Sequence, residues 1–299
     1  MIRATAGSST HVGQVREGNE DSLVTVDGLY FVADGMGGHS AGEIASAIAV
    51  DTLRDLHARP DSPLDSAEAV ANAVAEANRA IFAEALADPS KAGMGTTLTG
   101  LVVTDPGNNE VVVANVGDSR TYLWRHGELR QITKDHSHVQ TLVDRGAITR
   151  AEARVHFQRN IVLRAMGIES WVDVDTFTVA VEDGDRFILC SDGLVDEADD
   201  DEIEREIRHS GGPQNLSERL VDLANRNGGR DNITVVVVDF EHELEAVVPD
   251  EPPVIVDQAA TTVIPRAHKP SPWLSVAAYG MFVLSAAIAV TVAIVAATS

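Results

Sequence analysis

The sequence predicts an α+β fold in which a sandwich of β-strands carries helices against it. Three observations predict it. Short apolar, β-branched runs recur along residues 22–240 and come in neighbouring sets. Helical periodicity is confined to a few segments that come in pairs. Asp27-Gly28 separates two of the strand-like runs, and those two residue types tolerate the positive φ of a tight hairpin. Strands beside strands and helices beside helices favour layers over a wound parallel sheet.

Taken in order, strands are expected at 22–33, 96–104, 110–116, 119–124, 172–180, 186–190 and 233–240. Helices are expected at 40–58, 66–87 and 213–226, with Ser66 or Asp65 as N-cap of the second. Residues 135–170 are more polar and weakly periodic, as an insertion lying over the main body would be. Residues 1–240 thus read as one domain. Segment 241–272 holds six of the eleven prolines and reads as a linker, with a coil-like reach of about 30 Å. Residues 273–297 contain no Asp, Glu, Lys, Arg or His. As a helix they would rise roughly 37 Å, enough to cross a hydrocarbon core of about 30 Å. Arg266 and Lys269 precede that segment, so the positive-inside rule puts the 1–240 domain in the cytoplasm, held at the cell membrane by a single C-terminal span.

Composition narrows the chemistry. Acids outnumber bases 46 to 23, giving a formal net charge of −23. A nucleic-acid protein would need a basic face instead. Cys190 is the single cysteine, so an internal disulfide is impossible and a reducing compartment fits. The start, Met1-Ile2-Arg3-Ala4-Thr5, lacks the apolar run of a signal peptide.

Several acids stand where apolar runs meet loops. Asp34 follows Val32-Ala33 and precedes three glycines within four residues, and glycine lets a carbonyl approach a ligand. Asp192 stands in Cys190-Ser191-Asp192-Gly193 after another apolar run. Asp118 lies in Asn115-Val116-Gly117-Asp118-Ser119-Arg120, Asp231 precedes the run Ile233–Val238, and Asn19-Glu20-Asp21 precedes a further strand. If those strand ends converge, the carboxylates repel one another unless cations lie between them. Hard divalent ions, Mg²⁺ or Mn²⁺, prefer such oxygen donors. The histidines are scattered and form no zinc-like spacing.

In this order the segments resemble the metal-dependent protein phosphatases, the type 2C or PPM family, and the bacterial members in style. The matching stretches are Val15–Asp21, Asp34–Glu43, Gly93-Met94-Gly95-Thr96-Thr97, Ala114–Arg120, Lys134-Asp135-His136-Ser137, Ser191–Leu194 and Gly229–Thr234. The resemblance covers roughly residues 10–240. It implies a central β-sandwich of two antiparallel sheets flanked by helices, with metals at one end. It implies that Asp34 bridges two Mn²⁺ or Mg²⁺ ions, that the Gly35 carbonyl ligates one, and that Asp192 and Asp231 complete a shell. Glu20 and Asp21 match acids that hold metal-bound waters. Asp118, Asp192 and Asp196 match a third, weaker metal site of many members, and Arg16 matches the arginine that grips substrate phosphate. The implied reaction is hydrolysis of phosphoserine and phosphothreonine by in-line attack of a hydroxide bridging two metals, with no phosphoenzyme. Phosphorylated proteins are the implied substrates and a membrane serine/threonine kinase the natural partner.

Two positions depart from the pattern. Many eukaryotic members carry a histidine, a proposed general acid, where this chain has Met36, and His39 is the nearest substitute in sequence. Segment 135–170 matches the family's flap in position, yet its residues are the least fixed by the pattern; substrate choice is expected there. Rival chemistries fare worse. A cysteine phosphatase needs an arginine six positions after its cysteine, and here that residue is Asp196. No Gly-Lys pair exists for a P-loop. A pseudophosphatase that binds phosphoproteins without turnover would be expected to lack metal ligands, and Asp34, Asp118, Asp192 and Asp231 are all present.

Overall fold

The computed structural model describes residues 2–37, 41–61, 63–105 and 109–242. The chain divides into a unit Met1–Glu245 and a unit Ala246–Ser299, and every described residue belongs to the first. The first half holds β1 (Ile2–His11), β2 (Asp21–Val26), β3 (Leu29–Met36), α1 (Ala41–His57) and α2 (Ala67–Ala87). Then come β4 (Gly95–Thr96), β5 (Leu98–Asp105), β6 (Glu110–Val116), β7 (Arg120–Arg125) and β8 (Glu128–Gln131). The remainder is α3 (His138–Asp144), α4 (Arg150–Arg154), β9 (Asp175–Ala180), β10 (Arg186–Cys190), α5 (Asp192–Glu197), α6 (Asp200–His209), α7 (Pro213–Asn227) and β11 (Ile233–His242).

The strands form two antiparallel sheets, ordered β1-β11-β10-β7-β8 and β2-β3-β5-β6-β9, with β4 added beside β3. Side chains alternate across each strand, so a strand buried on both faces must be apolar throughout. In β11, Val236 and Val238 enter the core between the sheets while Val235 and Val237 face the layer under α5–α7. In β3, Tyr30 and Val32 point between the sheets, and Phe31 and Ala33 pack with α1 and α2. Three apolar layers therefore separate helices, sheet, sheet and helices, as expected of the sandwich.

Local signals set several boundaries. Gly28 takes φ +79° in the β2–β3 hairpin. Ser66 caps α2, its hydroxyl accepting from Ala69 N at 3.2 Å. The first strand was not expected, because Ile2–His11 has little apolar content. Its ladder to β11 runs the full length, and Gly7 lies so close beneath α7 that a Cβ there would stand 2.2 Å from Gln214 N. Hydrogen bonds and close approach hold this strand where side chains do not. Four helices, α3 to α6, also went unread; three of them span seven residues or fewer, too short to show a period. Segment 135–170, expected as an insertion, contains α3 and α4. The isolated bridge Thr96–Met166 ties it to β4, and the bridge Ser137–Val162 closes it on itself.

Apart from Glu241 and His242, which extend β11, the proline-rich segment 241–272 and the uncharged segment 273–297 lie outside the described residues. Among the described residues no helix is long and apolar enough to cross a membrane.

Candidate metal centre

Antiparallel pairing brings the acidic loops to one end of the sandwich. Asp21, opening β2, is the register partner of Asp34 near the close of β3. The end of β10 pairs with the starts of both β7 and β11, so Asp192 and Asp231 flank the same sheet end. Asp118 sits in the turn from β6, in one sheet, to β7, in the other. Arg16 and Glu20 lie on the loop between β1 and β2, which Asn232 secures. Its amide donates to Val12 O and Gly18 O, each at 2.9 Å, and its carbonyl oxygen accepts from Glu20 N at 2.8 Å.

Backbone contacts fix Asp34 and Gly35. The Asp34 carbonyl accepts from Thr97 N and from the Thr96 hydroxyl, both at 2.9 Å. The Thr97 hydroxyl in turn meets Ser119 across the two sheets at 2.7 Å. At Gly35 a Cβ would stand 2.2 Å from Gly42 O and 2.4 Å from Glu20 O. Only glycine lets α1 and the Glu20 loop close this tightly on β3.

The electrostatics are strained. Burial, together with the neighbouring aspartates, drives the Asp34 and Asp192 carboxyls well above the usual range. Burial pushes Asp118 up to about 7, with Asp135 adding repulsion, and Asp21 up to about 6. Burial also raises Glu20, against the pull of Arg16, and raises Asp196, against the pull of Arg159. The Ser191 hydroxyl donates to Asp21 Oδ2 at 2.9 Å, while Asp21 Oδ1 is buried without a hydrogen-bond partner. Arg16 donates to Asp231 Oδ2 at 2.7 Å, and that contact raises the guanidinium's own pKa.

Asp118, Asp192 and Asp196 line a single cavity of about 290 Å³. Its opposite wall is the expected flap, through Val139, Arg150, Arg154 and Arg159. Asp196 is already engaged by Arg159 at 3.3 Å. The residues nominated as metal or phosphate ligands therefore fall at this end of the fold; Met36 pairs with Gly95 at its edge, and His39 lies outside the described residues. Sequence reading passed over Thr97, Ser191 and Asn232 as functional supports, although each stands inside or beside a quoted motif.

A divalent cation fits this chemistry. The donors are all hard oxygens, they repel one another, and Asp21 Oδ1 is a buried acceptor with no partner of its own. Among the described residues no three His, Cys, Asp or Glu side chains converge on one point as a ready coordination set. They turn instead to one another and to Arg16 and Arg159.

Comparison with known proteins decides the family. The model for "Protein phosphatase 2C" matches residues 16–225, most of the chain.

The chain belongs to the protein phosphatase 2C family.

Its relatives include the serine/threonine protein phosphatase PstP of Mycobacterium tuberculosis, 43% identical over 228 residues. That match covers 76% of this chain but 43% of PstP, so the chain spans less than half the length of that relative. The serine/threonine phosphatase stp of Listeria welshimeri is 38% identical over 238 residues, covering 77% of this chain and 93% of the relative. Among solved structures, M. tuberculosis PstP/Ppp superposes with a TM-score of 0.75 at 40% identity, over 81% of this chain and 100% of that one. The PstP catalytic domain in complex with two manganese ions gives 0.73 at 38% identity, over the same shares. The metal-dependent phosphatase fold of antiparallel sheets and flanking helices is thus shared.

Proposed function

We propose that this member of the 2C family is a metal-dependent serine/threonine protein phosphatase. The observation that carries the reading is the cluster of repelling carboxylates, Asp34 with Asp192 at its centre, gathered at one sandwich end beside Arg16. Asp34, the Gly35 carbonyl, Asp192 and Asp231 would hold two Mn²⁺ or Mg²⁺ ions, with Glu20 and Asp21 orienting their waters. Asp118, Asp192 and Asp196 would hold a third. When bound, such ions supply Lewis acidity, a nucleophilic water at neutral pH and compensation of phosphoryl charge.

The chain's own residues supply the rest. Arg16 offers a planar fork to phosphate oxygens, and half of its side chain is exposed. Thr96 and Thr97 fix the backbone at Asp34, so its carboxylate approaches from one direction. Asn232 keeps the Arg16 loop in register with Asp231. Met36 cannot donate a proton, so the leaving oxygen must be protonated by another group. The wall of α3 and α4 closes one side of the cleft, where the identity of the phosphoprotein would be read.

The proposal extends to anchoring at the cell membrane by residues 273–297 with the catalytic unit in the cytoplasm, and to a membrane serine/threonine kinase as partner. Its support is the uncharged segment and the two basic residues before it. Recovery of the protein from cells in the soluble fraction alone would remove this part. The enzymatic part is tested by hydrolysis of a phosphothreonine peptide with Mn²⁺, Mg²⁺ or EDTA, beside Asp192→Ala. Metal-dependent turnover that the substitution abolishes is the expected result. No turnover by the folded protein with either metal would favour a binding role instead.

A further inference from the structure

We infer that Glu197 and Arg230 form a brace that fixes Asp231 relative to Asp192, making Glu197 a positioning residue for the metal centre. The inference rests on the metal-centre reading above and concerns two residues that reading leaves unused.

Helix α5 begins at Asp192 and ends at Glu197, so both residues ride on one rigid turn and a half. Although Glu197 is charged, its side chain is almost fully buried, at 2% exposure. One carboxylate oxygen, Oε1, accepts from the Arg230 backbone N–H at 3.1 Å and from Arg230 Nε at 2.7 Å. The other, Oε2, accepts from Arg230 Nη2 at 3.1 Å. The peptide immediately before Asp231 is thus tied directly to the helix that starts with Asp192. The loop folds over the carboxylate so closely that a Cβ on Gly228 would stand 2.7 Å from Oε2, and Gly228 takes φ +154°. The Glu197 carbonyl also accepts from Asn227 Nδ2 at 3.0 Å, at the end of α7.

These bonds have a directional consequence. Asp231 enters its loop from the Arg230 side and leaves it through Asn232, which is held by the Arg16 loop and by β11. Glu197 supplies the restraint on the entering side. A guanidinium that is 64% exposed would gain little from an ordinary surface ion pair. Here, however, the acid is buried and bidentate, and one of its bonds goes to backbone, so its geometry is imposed on the loop. Residues that orient metal ligands from one step away typically alter metal affinity by about 10- to 100-fold when changed.

The test measures Mn²⁺ binding by calorimetry and thermal unfolding in EDTA for the full chain, Glu197→Gln, Arg230→Gln and the double variant. Arg230→Gln alters an exposed side chain, so it provides a folded variant should Glu197→Gln fail to fold. Expected are Mn²⁺ affinities weakened about tenfold or more by Arg230→Gln and by Glu197→Gln, with the double variant no worse than the singles. Lowered melting temperatures with Mn²⁺ affinity unchanged in every folded variant would show a merely structural pair and overturn the brace. Failure of the unaltered protein to bind Mn²⁺ would overturn the metal-centre reading, and the brace with it.

Discussion

Replacing Asp118 by asparagine should stabilise this protein when divalent ions are chelated, and do so increasingly as pH rises. Burial and the nearby Asp135 and Asp196 lift the Asp118 carboxyl from the ordinary 3.8 to about 7. A folded-state pKa raised in this way stabilises the fold fully below about pH 4, and that stability is lost as pH climbs through about 7. At about 1.36 kcal/mol per pH unit, the loss is about 2 kcal/mol at pH 5 and about 4 kcal/mol by pH 8. Asparagine cannot ionise, so the variant escapes that loss. Urea unfolding followed by circular dichroism in EDTA at pH 5 and pH 8 would read the difference directly. With an m-value of about 3 kcal/mol per molar, the urea midpoint should rise by about 0.5 M at the lower pH and by more than about 1 M at the higher. A gain of the same size at both values, or an asparagine variant less stable than the original at pH 8, would refute the reasoning.

Other expectations follow from single contacts. Arg16→Lys should lower kcat/KM on a phosphothreonine peptide by roughly 10- to 100-fold, because a point charge replaces a fork worth about 1.5–3 kcal/mol; an unchanged value would remove Arg16 from phosphate recognition. Gly35→Ala forces a Cβ to within 2.2 Å of Gly42 O. It should cost about 3 kcal/mol in a thermal melt, and a variant within 1 °C of the parent would contradict the crossing described.

Much of this was legible in the chain, for reasons that differ by element. Strands β3 and β11 are buried on both faces, so their apolar runs are long and nearly continuous and could be read directly. Strand β1 is an edge strand with polar residues, held by its ladder, and no side-chain pattern announces it. For α6 the capping box Asp199-x-x-Glu202 was present in the sequence, but a ten-residue helix with only Ile203 and Ile207 buried gives little period to support it. The acids of the site were readable because a carboxylate just after an apolar run is unusual. Asn232 and Thr97 act through backbone groups more than 60 residues away in sequence, apart from nearer contacts, and topology alone brings those partners together. Glu197 and Arg230 look like two ordinary surface charges until the ends of α5 and α7 are placed side by side.

The gathering of acids at one end of the sandwich also bears on how a partner arrives. On a chain of net charge −23, those carboxylates add negative charge at that end as pH rises and they ionise. A phosphorylated side chain, carrying about −1.5 to −2 charges, meets repulsion there over roughly a Debye length of 8–10 Å. Divalent ions would be drawn by the same field, and on the function proposed above each one bound would return two positive charges to the place where a phosphate would go. On that function, encounter would be ordered by long-range attraction: cations first, a phosphoprotein second. Added salt should speed phosphopeptide capture when ions are scarce and slow it once they are abundant.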